Sequence, residues 1–261
     1  MTSRISGVFL AVLFGLGTAF VAPSSATADD TRVVRVDVPN QPTPIFGTLQ
    51  NLPPLYATET YVAGDGFAPV IESYRQSGQY VKDQLAITEA NRKFLDKYLK
   101  SRCGNQSTCN GKKATMVFDI DDTLLSYYEL YESTGFAPTS AQLDNAQEQC
   151  LQPVITSTKD LYAYARSRGV SVFLITGRRS MMRTATQECL KQAGITGYVE
   201  LIMRDPDEVN LTAQVYKSAH RAEIEKRGYL IISAIGDQVS DSAGGFTRRG
   251  FLLPNPMYYI P

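Results

Sequence analysis

A change of texture after residue 113 constrains the fold most. From there to residue 253, short apolar runs alternate with stretches of helical periodicity. The runs are Ala114–Phe118, Val170–Ile175, Tyr198–Met203, Leu230–Ile235 and Phe251–Leu253. Helical spacing fills about 153–168, 180–193 and 215–227, and Gly169, Gly194 and Gly228 follow these stretches as C-terminal stops. Apolar strands alternating with helices predict an α/β fold, a parallel sheet covered on both faces. Ligands of such sheets bind at the carboxyl ends of the strands. The polar clusters after the first, second and fourth runs fall there.

The first of these clusters is Asp119-Ile120-Asp121-Asp122-Thr123. Three carboxylates within four residues repel one another unless a cation or a helix N-terminus neutralises them. In an extended chain Asp119 and Asp121 point one way and Ile120 points back into the core. An acidic turn capping the next helix is the ordinary alternative. The cluster after the fourth run, Gly236-Asp237-Gln238-Val239-Ser240-Asp241, adds two more carboxylates at equivalent depth. Acids on two strand ends make a hard-oxygen site suited to Mg²⁺. Thr176-Gly177-Arg178 offers a hydroxyl and backbone N–H groups at an expected helix start, a ready anion site. Lys217 opens the helix before the fourth strand; alone it would read as a surface lysine.

These motifs, in this order, resemble the haloacid dehalogenase superfamily of phosphatases. The resemblance covers about residues 114–254. The stretches Val117–Leu125, Leu174–Arg178 and Ile235–Asp241 look most like its secreted acid phosphatase branch, which includes plant acid phosphatases, vegetative storage proteins and related bacterial enzymes. It implies a Rossmann-like sheet of order 5-4-1-2-3 with a small helical cap inserted at about 124–150. It makes Asp119 the nucleophile of an aspartyl-phosphate route and Asp121 the general acid, then base. Thr176, Gly177 and Lys217 would hold the phosphoryl oxygens. Mg²⁺ would rest on Asp119, the carbonyl of Asp121, Asp237 and Asp241. A halide leaves without a proton and an alkoxide needs one, so Asp121 points to small-molecule phosphate monoesters rather than haloacids. An acidic optimum is likewise an implication of the resemblance.

Composition sharpens the exclusions. Lys and Arg number 26 against 26 Asp and Glu, which argues against a grip on a nucleic-acid polymer. With one histidine, His220, a multi-histidine metal site is impossible. At 43% hydrophobic residues the chain can bury a sizeable core.

The segment before residue 29 reads as a secretory signal peptide. Arg4 supplies a positive end, Gly7 to Ala22 a mostly apolar run, and Ala26-Thr27-Ala28 the small residues of a cleavage site. An uncleaved anchor is the alternative, though the run is short for a span of about 20 residues. A secreted enzyme without membrane attachment after cleavage is expected, with an oligomer left open. Residues 33–38 could form an edge strand. Residues 39–55, with five prolines, read as a linker within an extended segment 29–68. The phosphatase domain would occupy 69–261, beginning with helices over 69–102 whose apolar residues are Val81, Leu85, Ile87, Phe94, Leu95 and Leu99. Residues 103–113 read as a loop. Four cysteines allow three connectivities. Cys103–Cys109 would clip that loop and leave Cys150 with Cys189; a metal site or four free thiols are the competing readings.

Lesser features carry two readings each. Asp122 orients the loop or binds metal. Tyr127, Tyr128 and Tyr131 pack the cap or stack on a leaving group. Arg178 and Arg179 touch substrate or are solvated, and His220 faces the site mouth or is incidental.

Overall fold

The computed structural model describes residues 61–64 and 66–260. The expected signal peptide, edge strand and linker lie outside the described residues. Five parallel strands form the body of a six-stranded sheet: β3 (Lys112–Phe118), β4 (Ser171–Arg179), β5 (Glu200–Arg204), β6 (Tyr229–Gly236) and β7 (Arg249–Leu252). Their spatial order is β5-β4-β3-β6-β7, which is the expected 5-4-1-2-3 read from the other edge. The order reverses beside β3, so its carboxyl end, carrying Asp119, opens into the crevice where such sheets bind ligands.

Successive side chains on β3 and β4 alternate between two cores, as the strand period requires. Met116, Phe118, Val172 and Leu174 pack on one face with Ile87, Leu95, Leu161 and Leu190. Val117, Phe173 and Ile175 pack on the other with Tyr216 and Ile224. The first face is covered by α2 (Gln79–Arg102), α5 (Thr156–Ser167) and α6 (Arg183–Gln192), the second by α7 (Ala213–Lys226). Gly169, Gly194 and Gly228 have φ of 72°, 74° and 87°, the left-handed geometry that ends a helix.

The N-terminal helical stretch is two helices, α1 (Ala68–Gln76) and α2, parted at Gly78 with φ 74°. Its apolar pattern needs correction. Val81 and Leu85 are 45% and 51% exposed, while Tyr80, Gln84, Ile87, Asn91, Leu95 and Leu99 face inward. One helix turns one stripe to the sheet, and Ile87, Leu95 and Leu99 choose it. Asn91 is held there on one side only: Ser233 Oγ of β6 donates to its Oδ1 at 2.9 Å, while its Nδ2 is buried with no partner among the described residues. The 103–113 segment is a hairpin rather than a plain loop: β2 (Thr108–Cys109) pairs antiparallel with β3.

Between β3 and α5 stand two short helices, α3 (Tyr128–Ser133) and α4 (Ser140–Glu148), the second started by a Thr139/Gln142 capping box. Tyr127, Tyr128, Tyr131 and Phe136 form a separate cluster with Ile71 of α1 and Met257 and Tyr258. β8 (Tyr258–Tyr259) pairs with β1 (Tyr61–Val62), so the last strand described lies against the first. The cysteines are bonded Cys103–Cys109 and Cys150–Cys189. The first closes the hairpin; the second ties the exit of α4 to α6.

Candidate active site

The loop after β3 is fixed from below. Asp119 N–H donates to the Ile235 carbonyl at 3.0 Å. Ile120 is fully buried in the core, and its carbonyl accepts the N–H groups of Leu124 and Leu125 at 2.8 and 2.9 Å. Asp122 turns at φ 50°, a left-handed conformation that aspartate tolerates better than most residues. Its carboxylate accepts the Tyr127 N–H at 2.8 Å and the Tyr258 hydroxyl at 2.9 Å, anchoring the loop to the cap and to β8. Burial lifts its pKa to about 7. Asp122 therefore holds the loop's shape, while Asp119 and Asp121 line a cavity of about 440 Å³.

Lys217 rises from α7 beneath Asp119. Its Nζ donates to Asp119 Oδ1 at 2.7 Å and to Asp241 Oδ1. Asp237 completes a buried group: carboxylate oxygens of Asp119, Asp237 and Asp241 all lie within 4.8 Å of one another. Thus three carboxylates stand against one ammonium. Burial pushes Asp119 well above the usual carboxylate range; Lys217 pulls it back and Asp241 and Asp237 add to the rise. Burial, then Asp241, lifts Asp237 to about 8, despite hydrogen bonds from Asn255 Nδ2 and Gln238 Nε2 to its Oδ2 at 2.7 and 2.6 Å. For Lys217 burial opposes the charge, but Asp119 and Asp241 outweigh it and raise the pKa. An excess of buried, all-oxygen anionic donors is what a hard divalent cation satisfies, so the residues present fit such an ion. Gly236 belongs to this arrangement: a Cβ there would overlap the Asp241 side chain.

Asp121, two residues from Asp119, has other surroundings. Arg178 Nη2 donates to its Oδ1 at 2.6 Å and Nε to both oxygens at 3.1 Å. Gln152 Nε2 adds a bond at 3.0 Å, and Thr176 Oγ1 lies 3.4 Å from Oδ2. Gln152 Oε1 in turn accepts from Arg178 Nη2 at 2.5 Å. Burial works against the Asp121 charge, but Arg178 and these bonds outweigh it and hold the pKa below the usual carboxylate value.

The expectation for Thr176-Gly177-Arg178 is corrected in one respect. β4 continues through Arg179, with an irregular register between Thr176 and Arg179; a 3-10 turn over Ser180–Met182 follows and leads into α6 at Arg183, so the helix starts at the expected 180 but after this segment. The segment is a distorted strand end, not a helix start. Gly177 lines the cavity, whereas Thr176 is fully buried. Arg178 is neither solvated nor free: its side chain is 1% exposed. Arg179 pairs at the surface with Asp144 of α4 at 2.6 Å. His220 Nε2 meets Glu208 at 2.8 Å and its ring packs edge-on against Tyr216, 4.8 Å between centroids. Tyr127 and Tyr131 line the cavity while packing in the cap cluster, and Tyr128 packs there behind them.

Sequence reasoning missed Gln152, Asn255, Tyr258 and Arg221. The last had a signal: it lies four residues after Lys217, on the same face of a helix. Arg221 is fully buried, and burial lowers its pKa to about 10. Its Nη1 donates to the Asp241 carbonyl at 2.7 Å, Nε to that of Gly245 at 3.0 Å, and Nη2 to that of Ala243, which fastens the loop carrying Asp241.

An aspartate on the central strand end, a second two residues on, a lysine beneath and acids on the neighbouring strand define a haloacid dehalogenase-type site. The chain belongs to the HAD superfamily, subfamily IIIB (Acid phosphatase), whose sequence profile matches residues 62–261. It is 37% identical to acid phosphatase 1 of Solanum lycopersicum over 148 residues, 55% of this chain and 58% of that protein. It is 36% identical to vegetative storage protein 1 of Arabidopsis thaliana over 194 residues, 70% of each. The match to the tomato protein thus spans less than two thirds of that relative's length. The class C acid phosphatase of Bacillus anthracis shares the fold, with a TM-score of 0.58 and 19% identity over 75% of this chain and 86% of that one.

Proposed function

We propose that this chain is a secreted, Mg²⁺-dependent acid phosphatase that hydrolyses small-molecule phosphate monoesters through an aspartyl-phosphate on Asp119. The observation that carries the reading is the placement of Asp119 and Asp121 on one cavity wall, with Lys217 bonded to Asp119 from within. The tomato relative is named an acid phosphatase and the Arabidopsis relative a storage protein. A nucleophile and an acid both facing the cavity favour the enzymatic reading.

In this reading Lys217, Gly177 N–H and Thr176 hold the phosphoryl oxygens. An Asp119 carboxylate oxygen attacks phosphorus, and the bond from phosphorus to the ester oxygen breaks. The negative phosphoryl group beside Asp121 favours its protonated form against the pull of Arg178, and Asp121 gives that proton to the ester oxygen, so an alcohol leaves. Asp121 then takes a proton from the water that attacks phosphorus, freeing phosphate and restoring Asp119. Arg178 and Gln152 keep the Asp121 carboxyl aimed through both transfers. Asp119, Asp237, Asp241 and the Asp121 carbonyl would hold Mg²⁺, which supplies charge to offset the phosphate and the crowded carboxylates.

The test is release of phosphate from an aryl phosphate by folded protein, with Mg²⁺ and with a chelator. Loss of activity with chelator and in Asp119→Asn is expected. Turnover indifferent to both would overturn the mechanism.

A further inference from the structure

Three cationic residues line the cavity among the described residues: Arg178, Lys217 and Arg204. Two are neutralised, Arg178 by Asp121 and Lys217 by Asp119 and Asp241. Arg204, at the carboxyl end of β5, makes no ion pair among the described residues. Its Nη1 donates to the Leu211 carbonyl at 3.0 Å, and its Nε is buried with no partner. The guanidinium lies over the Tyr216 ring, 4.7 Å from the centroid. A buried donor on a charged group left without an acceptor is costly. The residue borders the cavity without a counter-charge among the described residues, so an anion held there would face an unpaired cation.

Tyr216 also sets where the anion would lie. Its hydroxyl donates to the Thr176 carbonyl at 3.1 Å. Arg204 therefore stands one phenol ring and one hydrogen bond away from the strand end proposed to hold the phosphoryl group. Its planar fork suits a carboxylate or phosphate.

We propose that Arg204 is a specificity-determining residue that binds a second anionic group on the leaving alcohol. The favoured substrates are then phosphate monoesters whose leaving group carries a carboxylate or a further phosphate about a ring's length from the ester oxygen. This rests on the phosphatase reading above.

Two esters of matched shape test it: 4-carboxyphenyl phosphate and its neutral counterpart 4-carbamoylphenyl phosphate. In the unaltered protein kcat/KM is expected to favour the carboxylate about tenfold, the equivalent of about 1.4 kcal/mol, chiefly through KM. Arg204→Gln is expected to bring the ratio to about one. Arg204→Lys, which keeps the charge without the fork, should fall between, and it reads the same ratio if the glutamine variant does not fold. A ratio at or below one in the unaltered protein, or a ratio unchanged in either variant, overturns the assignment. If both esters are hydrolysed with no preference, only the role of Arg204 fails. If neither is hydrolysed, the phosphatase reading fails with it.

Discussion

The two carboxylates of the loop after β3 stand two residues apart in opposite electrostatic settings. Asp119 shares a buried corner with Asp237 and Asp241, three acids against one lysine. Asp121 faces a buried arginine, a glutamine and a threonine, and is compensated without help. The first half of the site is built to be completed by a cation; the second is complete within the protein. Equal substitutions on the two sides should therefore have unequal results.

The largest effect is expected from Asp119→Asn. It removes the proposed nucleophile and should lower turnover of an aryl phosphate by on the order of 10³-fold or more. It also removes one charge from the crowded corner, so the metal-free protein should not lose thermal stability. Asp121→Asn should lower kcat by on the order of 10²-fold, more for alkyl than for aryl esters because the poorer leaving group needs the proton more. Its effect on stability has the other sign. It leaves Arg178 buried without a counter-charge, a loss of about 3 kcal/mol measurable by denaturant unfolding. Matching stability changes in the two variants would break the comparison.

The acid-rich half also predicts a pH dependence. The folded-state pKa of Asp119 is raised and that of Asp237 is lifted to about 8. Between the ordinary carboxylate range of about 4 and pH of about 8, the folded metal-free protein then binds more protons than the unfolded chain. Its stability should fall as pH rises through that window. Mg²⁺ should reverse the trend, with the larger rise in Tm at the alkaline end. A metal-free Tm that climbs with pH over this range would contradict the placement of the acids.

The smallest effects on turnover concern the bridges. The Cys150–Cys189 closure spans 39 positions and Cys103–Cys109 spans 6. Chain-entropy arithmetic gives about 4 and about 2 kcal/mol for loops of these sizes. Only the longer bridge is next to the Asp121 half, since Gln152 follows Cys150 by two residues. Its removal by paired serine substitutions should lower kcat several-fold; removal of the hairpin bridge should leave kcat unchanged.

The strands and the three strand-end motifs were legible because each is local: an apolar run, then acids, hydroxyls or glycine at its end; Lys217, on a helix, gained its meaning only from the other three. The order of the sheet came from the family resemblance, and it places the strand ends of Asp119 and Asp237 side by side. Arg178 was not legible, since its meaning comes from Asp121, 57 positions earlier, and Gln152, 26 earlier. A sequence shows an arginine; the fold decides whether it meets water or a carboxylate. The inward face of α2 failed for a related reason. Asn91 is tolerated there through Ser233, 142 positions away, which periodicity cannot register.

Gly236 places a limit on variation. Where a methyl group would stand there is already the side chain of Asp241, so the position has an alphabet of one letter while that acid stays in place. Any lineage that shed the acid would be released from the glycine as well. Codon 236 should therefore report, across diverging copies of such a gene, whether the cation corner is still in use.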